Sequence, residues 1–293
     1  MSAVQIASEW LTANIALRGA ELMQLVDSQG HNLLWAGDPL WWSGRSPLLF
    51  PIVGKVPNDQ LLIEGKEFHM PAHGFARRMD FTLLEHDHSS CVFELRSNLE
   101  TQQHYPFPFA LQLAYRISGR LLKMAATVSN GGTVAMPMSL GYHPAFPWPL
   151  PYDARRDSYE LRFEIEEPAP VRRLIGSLLS RDAQPSPVDR QILHLSDDLF
   201  ENDAIIFDAL CSRSLTYGTR DTPMLEVNFS DMPHLGVWSK PGAPFICIEP
   251  WQGHAAPVDF AGEFREKPGV VSVPPGRAKR YEMSIELLVG EAR

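Results

Sequence analysis

The sequence predicts an all-β fold, a large antiparallel sandwich or barrel, and three observations carry that prediction. Period-two alternation of apolar and polar residues recurs along the chain, whereas up to about residue 190 no window holds a helical apolar spacing for longer than a turn or two. The 25 prolines and 20 glycines interrupt the chain too often for long helices. Strand-like runs return every roughly 8 to 15 residues between turn signals, the pattern of a sandwich or barrel.

The first strands are expected at residues 10–17, 21–26 and, after the turn Asp27-Ser28-Gln29-Gly30, 31–34. Residues 60–63 and 66–70 should pair across Glu64-Gly65, because a two-residue hairpin turn favours glycine for its positive φ. Two further hairpins are expected, 81–85 with 91–95 across a polar HDHSS turn and 109–117 with 121–129 across Ser118-Gly119-Arg120. Later strands are expected at 204–208, 224–229, 235–238, 245–249, 270–273 and 280–289, the last alternating over most of its length. Prolines and mixed charges displace the alternation at 147–157 and 168–190, which read as loops. Residues 196–201 suggest one helical turn with Ser196 as its N-cap. Strand patterns on both sides of each loop need partners across it to bury their apolar faces, so residues 1–293 are expected to form one domain.

Thirty-five acidic against 26 basic residues give a formal charge of -9, with no Lys/Arg run longer than two. That balance disfavours a nucleic-acid or anionic-membrane surface and suits a neutral or weakly charged partner. No secretory leader and no apolar window near the ~20 residues of a membrane span is seen, so a cytoplasmic location is expected. Cys91, Cys211 and Cys247 are odd in number and far apart, which points to buried thiols rather than disulfides or a zinc cluster.

Three stretches place ionisable residues in otherwise apolar, Gly/Pro-marked sequence: residues 43–58 with 71–78, residues 139–148, and residues 245–255. Glu249 follows the β-rich run Phe-Ile-Cys-Ile, where burial without a partner is costly. It either reaches solvent at a strand end or serves a polar pocket, and Trp251 and Gln252 just beyond suit the pocket. His143 stands among aromatic residues, as a structural imidazole or a functional one. His73 precedes Gly74, with Arg77 four residues on supplying a cation; a turn alone explains the glycine. His73, His143 and Glu249 form a two-His-one-carboxylate set but lack the close ligand pair usual in metal sites. His86 and His88 make such a pair, in a polar turn without a further ligand. Serine-hydrolase, dinucleotide, P-loop and CxxC motifs are absent.

In this order, LLW (33–35), LLFPIVGK (48–55), LIEGKEFHMPAHGFAR (62–77), GYHPAF (141–146), NDAIIF (202–207) and ICIEPW (246–251) resemble the aldose 1-epimerase (mutarotase) superfamily. The nearest likeness is its LacX-like bacterial branch, and it spans nearly the whole chain. The resemblance implies a galactose mutarotase-like β-supersandwich with an open sugar groove, a hexose substrate and no cofactor. It further implies that Glu249 is the catalytic base, His143 the catalytic acid, His73 a second active-site histidine and Asp203 a binder of sugar hydroxyls. Lys55 stands where many galactose mutarotases have arginine, and a compact ammonium does not replace a guanidinium fork. Arg45 resembles an arginine of the hexose-6-phosphate branch, which shares HGFAR, so Arg45, Arg77 and Arg78 raise a phosphorylated substrate. Trp251, Phe75 or Phe146 would offer an apolar face to the sugar. A non-catalytic carbohydrate-binding or sensing protein and a metal-assisted sugar isomerase or lyase using His73, His143 and Glu249 are the alternatives.

Overall fold

The computed structural model of the protein describes residues 3–288. Two antiparallel sheets dominate it. The larger has nine strands, in the order Ile192–His194, Tyr159–Phe163, Ser214–Thr219, Pro223–Asn228, Ala278–Leu287, Leu121–Asn130, Phe109–Ser118, Ser90–Arg96 and Thr82–His86. The smaller has six: Ile205–Phe207, His234–Trp238, Phe245–Gln252, Leu140–Tyr142 and Leu48–Leu49 in order, with Ala145–Pro147 also pairing Phe245–Gln252. A three-stranded sheet, Ala3–Ala7, Leu11–Ala16 and Leu22–Asp27, stands beside them.

The sheets share a core because each strand alternates. Leu111, Leu113, Tyr115, Leu122, Met124, Met283 and Ile285 of the larger sheet join Leu235, Val237, Ile246 and Ile248 of the smaller in one buried apolar cluster. Each such side chain contributes roughly 1.5–3 kcal/mol of hydrophobic free energy. On Phe245–Gln252 the odd positions, Phe245, Cys247, Glu249 and Trp251, take the opposite face. That face is roofed by separate small clusters rather than by the core. The site is built on it.

The three expected hairpins form, with Ile63↔Lys66, His86↔Cys91 and Ser118↔Leu121 closing their turns. The expected strand at 31–34 is instead a single bridge, Val26↔Asn32. There Asn32 Oδ1 accepts from the backbone N–H groups of Leu25 and Leu34, so a side chain takes the place of a ladder partner. Ala3–Ala7, Tyr159–Phe163, Ile192–His194 and Ser214–Thr219 are strands that the pattern did not reveal, as are several pieces of two or three residues. Tyr159–Phe163 is buried at all but one position, so it carries no alternation. Asp197–Phe200 forms the helical turn, but Ser196 makes no side-chain capping bond. The expected end of the last strand at Val289 lies outside the described residues.

One difference bears on function. The strand expected to stop at Glu249 runs on through Pro250 to Gln252. The Ile248 N–H donates to Pro144 O, so the backbone N–H groups of the even positions point toward the Leu140–Tyr142 side. Carried on from Gly141↔Trp251, the register sets Pro250 opposite Tyr142, and the ladder to this neighbour lapses from there until Ala145↔Cys247. No N–H is needed there, so proline leaves the strand intact. Glu249 is thus held mid-strand, and His143 occupies the gap beside it.

Candidate active site

Glu249 and His143 are only 2% and 6% exposed, and His143 Nε2 lies 3.1 Å from Glu249 Oε2. Burial pushes the Glu249 carboxyl well above the carboxylate range, and the Asp203 charge adds to it. Burial pushes the His143 imidazole well below its ordinary value, with His73 second. Each group alone resists its charge, so the contact holds one proton between them and the pair is neutral overall.

Around this pair the aromatic residues form a box. The Trp42 indole stacks on the His143 ring at 4.9 Å and 23°, and Trp238 meets it edge-on at 6.1 Å and 83°. Trp42 reaches there from an irregular loop whose carbonyl it lends to Trp35 Nε1 at 2.8 Å. Trp251 forms the floor. Its indole lies over Gly141 and Gly236 on the two neighbouring strands, where an added Cβ would meet ring carbons at 2.4 and 2.3 Å.

His73 arrives from the turn after Pro71, with φ +65°, its N–H donating to Gly54 O at 2.7 Å. In return the Gly54 N–H donates to His73 Nδ1 at 3.3 Å, which places the ring proton on Nε2. Burial, then Arg77 and Arg78, depress this imidazole to about 3. It is therefore neutral at physiological pH, a hydrogen-bond donor in a fixed tautomer, 5.6 Å from the His143 ring. Arg77 Nη2 donates to Ala72 O at 2.9 Å and so ties the same turn. Burial, then Arg78, lowers the Arg77 guanidinium to about 10, still charged at neutral pH. Lys55 Nζ lies 3.6 Å from Asp59. Asp203, with φ +65°, heads the Ile205–Phe207 strand.

These groups line one cavity of about 270 Å³, together with Leu174, Ser177, Ala204 and Ile206. Ligand pockets usually run from about 300 to 1,000 Å³, so the space suits one small ring rather than a chain of them. A larger hollow of about 430 Å³, bordered by Trp10, Asp27, His31 and Tyr152, lies elsewhere. There the carboxylate is already engaged by His31 Nδ1 at 3.1 Å and the Tyr152 hydroxyl at 2.9 Å. The acid–base pair marks the smaller cavity as the candidate.

The cavity brings together Glu249, His143, His73, Asp203, Lys55, Arg77 and Trp251. Arg45 is not among its lining residues: its guanidinium packs against Gly37. Arg78 turns back to Gly74 O. Phe75 and Phe146 lie in the core, Phe75 against Phe50, Tyr105 and Phe109, so neither presents a face to a ligand. Sequence reasoning missed Trp42 and Trp238. Trp238 was legible as the in-phase neighbour of Gly236 on one strand, whereas nothing local places Trp42 over His143. Among the described residues, the group with metal-ligand atoms within 4.8 Å of one another is His143, Cys247 and Glu249, without His73.

Behind the cavity, residues 253–256 dock on Gly54 and Lys55, the Ala256 N–H donating to Lys55 O at 2.8 Å. The buried Lys267 ammonium donates to His254 O and pins this segment. Burial brings that ammonium down to about 7. His254 and His234 meet edge-on at 5.1 Å, and burial lowers both to about 4. The unfolded chain takes up protons near pH 6.5 while the folded one does not, so their stabilising contribution is complete above that pH and is lost as pH falls toward 4. At 1.36 kcal/mol per pH unit the loss is about 3 kcal/mol for His254 and less for the partly exposed His234. The urea midpoint is expected to drop between pH 6.5 and 4.5, and less so in His254→Gln. An unchanged midpoint at pH 5 would show that the folded protein takes the protons.

A family model described as aldose 1-epimerase matches residues 2–272. The chain belongs to the aldose 1-epimerase family. Within it, the chain is 32% identical over 295 residues to "Protein LacX, plasmid" of Lactococcus lactis, covering 96% of this chain and 99% of that protein. A galactose mutarotase-like protein from Lactobacillus casei superposes with a TM-score of 0.90 at 31% identity, over 98% of this chain and 100% of that one. A galactose mutarotase related enzyme from Lactobacillus acidophilus gives 0.88 at 29% identity, over 98% of both chains. The chain thus has a galactose mutarotase-like β-supersandwich fold, as the resemblance implied. Among the described residues no helix is long and apolar enough to cross a membrane.

Proposed function

We propose that the protein is a cofactor-independent aldose 1-epimerase that interconverts the α and β anomers of a hexose. The observation that carries this reading is the contact of His143 with Glu249 on the wall of a cavity sized for one sugar ring. Glu249, as carboxylate, takes the O1 proton while the bond from C1 to O5 breaks with its electrons going to O5. His143, as imidazolium, protonates O5. The open-chain aldehyde rotates about the bond from C1 to C2 and recloses on the other face with the roles reversed. The pair needs one proton, the same number it holds at rest, so no external acid or base enters. Each transfer contributes on the order of 10²- to 10⁴-fold.

His73 donates its Nε2–H to the ring oxygen or an adjacent hydroxyl. Asp203 and Lys55 hold hydroxyls, and Trp251 gives the ring an apolar floor. The lining cations Lys55 and Arg77 each have an oxygen partner already, and Arg45 is elsewhere, which favours a free hexose. Arg77 also supports a second reading, a hexose 6-phosphate, since its Nε is buried without a partner. The apolar cluster that includes both Val4 and Leu287 supports residues 1–293 acting as one domain.

The test is anomer exchange followed by NMR on glucose, galactose and their 6-phosphates. Faster exchange of a free hexose is the expected result. Exchange of the phosphates alone would shift the assignment to the second reading. Binding without exchange would make the protein a carbohydrate binder.

A further inference from the structure

Cys247 takes no part in the proposed proton transfer, yet it shares the Glu249 face of the central strand two residues away. One ligand atom from each of His143, Cys247 and Glu249 lies within 4.8 Å of the others, and all three residues are buried. We propose that these residues form an inhibitory site for a zinc-class divalent ion, which displaces the proton shared by the acid–base pair.

Three physical arguments support it. Tetrahedral zinc with bonds of about 2.0–2.1 Å to nitrogen and oxygen sets those atoms roughly 3.3 Å apart. His143 Nε2 and Glu249 Oε2 stand 3.1 Å apart, so that edge of the coordination shell is preformed. A Zn–S bond of about 2.3 Å puts the sulfur roughly 3.6 Å from the other two ligands, against separations of no more than 4.8 Å in the structure. Charge comes second: thiolate, carboxylate and neutral imidazole exactly cancel a divalent cation, so the complex is neutral where burial disfavours net charge. Donor type comes third, since sulfur with nitrogen and one oxygen selects zinc or cadmium over magnesium and calcium. Three protein ligands leave a fourth position for water or a sugar hydroxyl from the cavity.

Binding is balanced as one metal ion in and two protons out to solvent, one from the Cys247 thiol and one from the Glu249–His143 pair. Metal–sulfur, metal–nitrogen and metal–oxygen bonds form, and no redox partner is required. The inhibition rests on the epimerase reading, because the metal occupies both proton-transfer groups; the binding itself does not.

The experiment uses the full chain with Cys211→Ser as background, since Cys211 is exposed and Cys91 is buried apart. Cobalt(II) titration should give a thiolate-to-metal charge-transfer band, and zinc titration by calorimetry should give one site per chain with two protons released. Cys247→Ala should abolish the band and weaken zinc binding by at least about 10-fold, with basal anomer exchange retained but no longer inhibited by zinc. Cys247→Ser provides a second variant should the alanine form fail to fold. Absence of the band, or equal zinc affinity in both Cys247 variants and the parent, would overturn the proposal. Band and affinity are read without sugar, so a protein that exchanges no anomers still tests the metal site.

Discussion

Glu249→Gln is expected to lower the turnover number for anomer exchange by about 10²- to 10⁴-fold while sugar binding changes by no more than a few-fold. The amide keeps the volume and a hydrogen-bonding contact to His143 Nε2, but it neither accepts the O1 proton nor holds the shared one. The fold should tolerate it, because a buried ionisable group is replaced by a neutral one of the same shape. NMR exchange rates report turnover, and calorimetry reports binding on the same sample. Turnover near that of the parent chain, or lost binding with turnover retained, would remove Glu249 from the base role.

Among the described glycines, Gly74→Ala should be the most destabilising added methyl. Gly74 has φ +72°, and an added Cβ would lie 2.1 Å from Phe50 O and 2.4 Å from Phe50 C. Both atoms are backbone, so no rotamer change relieves the clash. Phe50 O also accepts from the N–H groups of Phe75 and Ala76, so moving it loosens the turn that presents His73. The left-handed conformation alone costs about 1 kcal/mol in alanine. With the backbone shift the loss should exceed about 3 kcal/mol, which lowers Tm by about 5 °C or more for a chain of this length. Gly65→Ala is the control: its φ is +72° too, but nothing lies within 4 Å of its Cβ. It should show the conformational cost only. Equal melting shifts in the two variants would mean that the Phe50 contact yields freely.

What the sequence disclosed divides along physical lines. Hairpins such as Gln60–Ile63 with Lys66–His69 were legible because turn and register lie within a dozen residues. Pieces such as Leu48–Leu49 and Ala145–Pro147 are too short for a period to show. The anomaly of a carboxylate after Phe-Ile-Cys-Ile was legible at Glu249, but the strand's passage through Pro250 was not. That passage depends on a gap in a neighbouring chain a hundred residues earlier in the sequence. Arg45 shows the converse. Its resemblance to an arginine of the hexose-6-phosphate branch is a statement about position in the chain, and the packing of its side chain against Gly37 is decided by the local path of the loop. Trp42 stacks on His143 across about a hundred residues of sequence, a contact that no local pattern encodes.

The mid-strand placement of Glu249 separates two design tasks. Its Cα position is fixed by pairing of Gly236↔Glu249 on one side and by the Ile248–Pro144 bond beside it on the other, so the carboxyl is an inflexible reference point in the cavity wall. Lys55, Arg77, Ser177 and Asp203, by contrast, belong to connections outside the six-stranded sheet. Changes in those connections can alter the polar lining of the cavity without moving the Glu249–His143 pair, so the rim of the cavity and its buried pair are mechanically independent in this architecture.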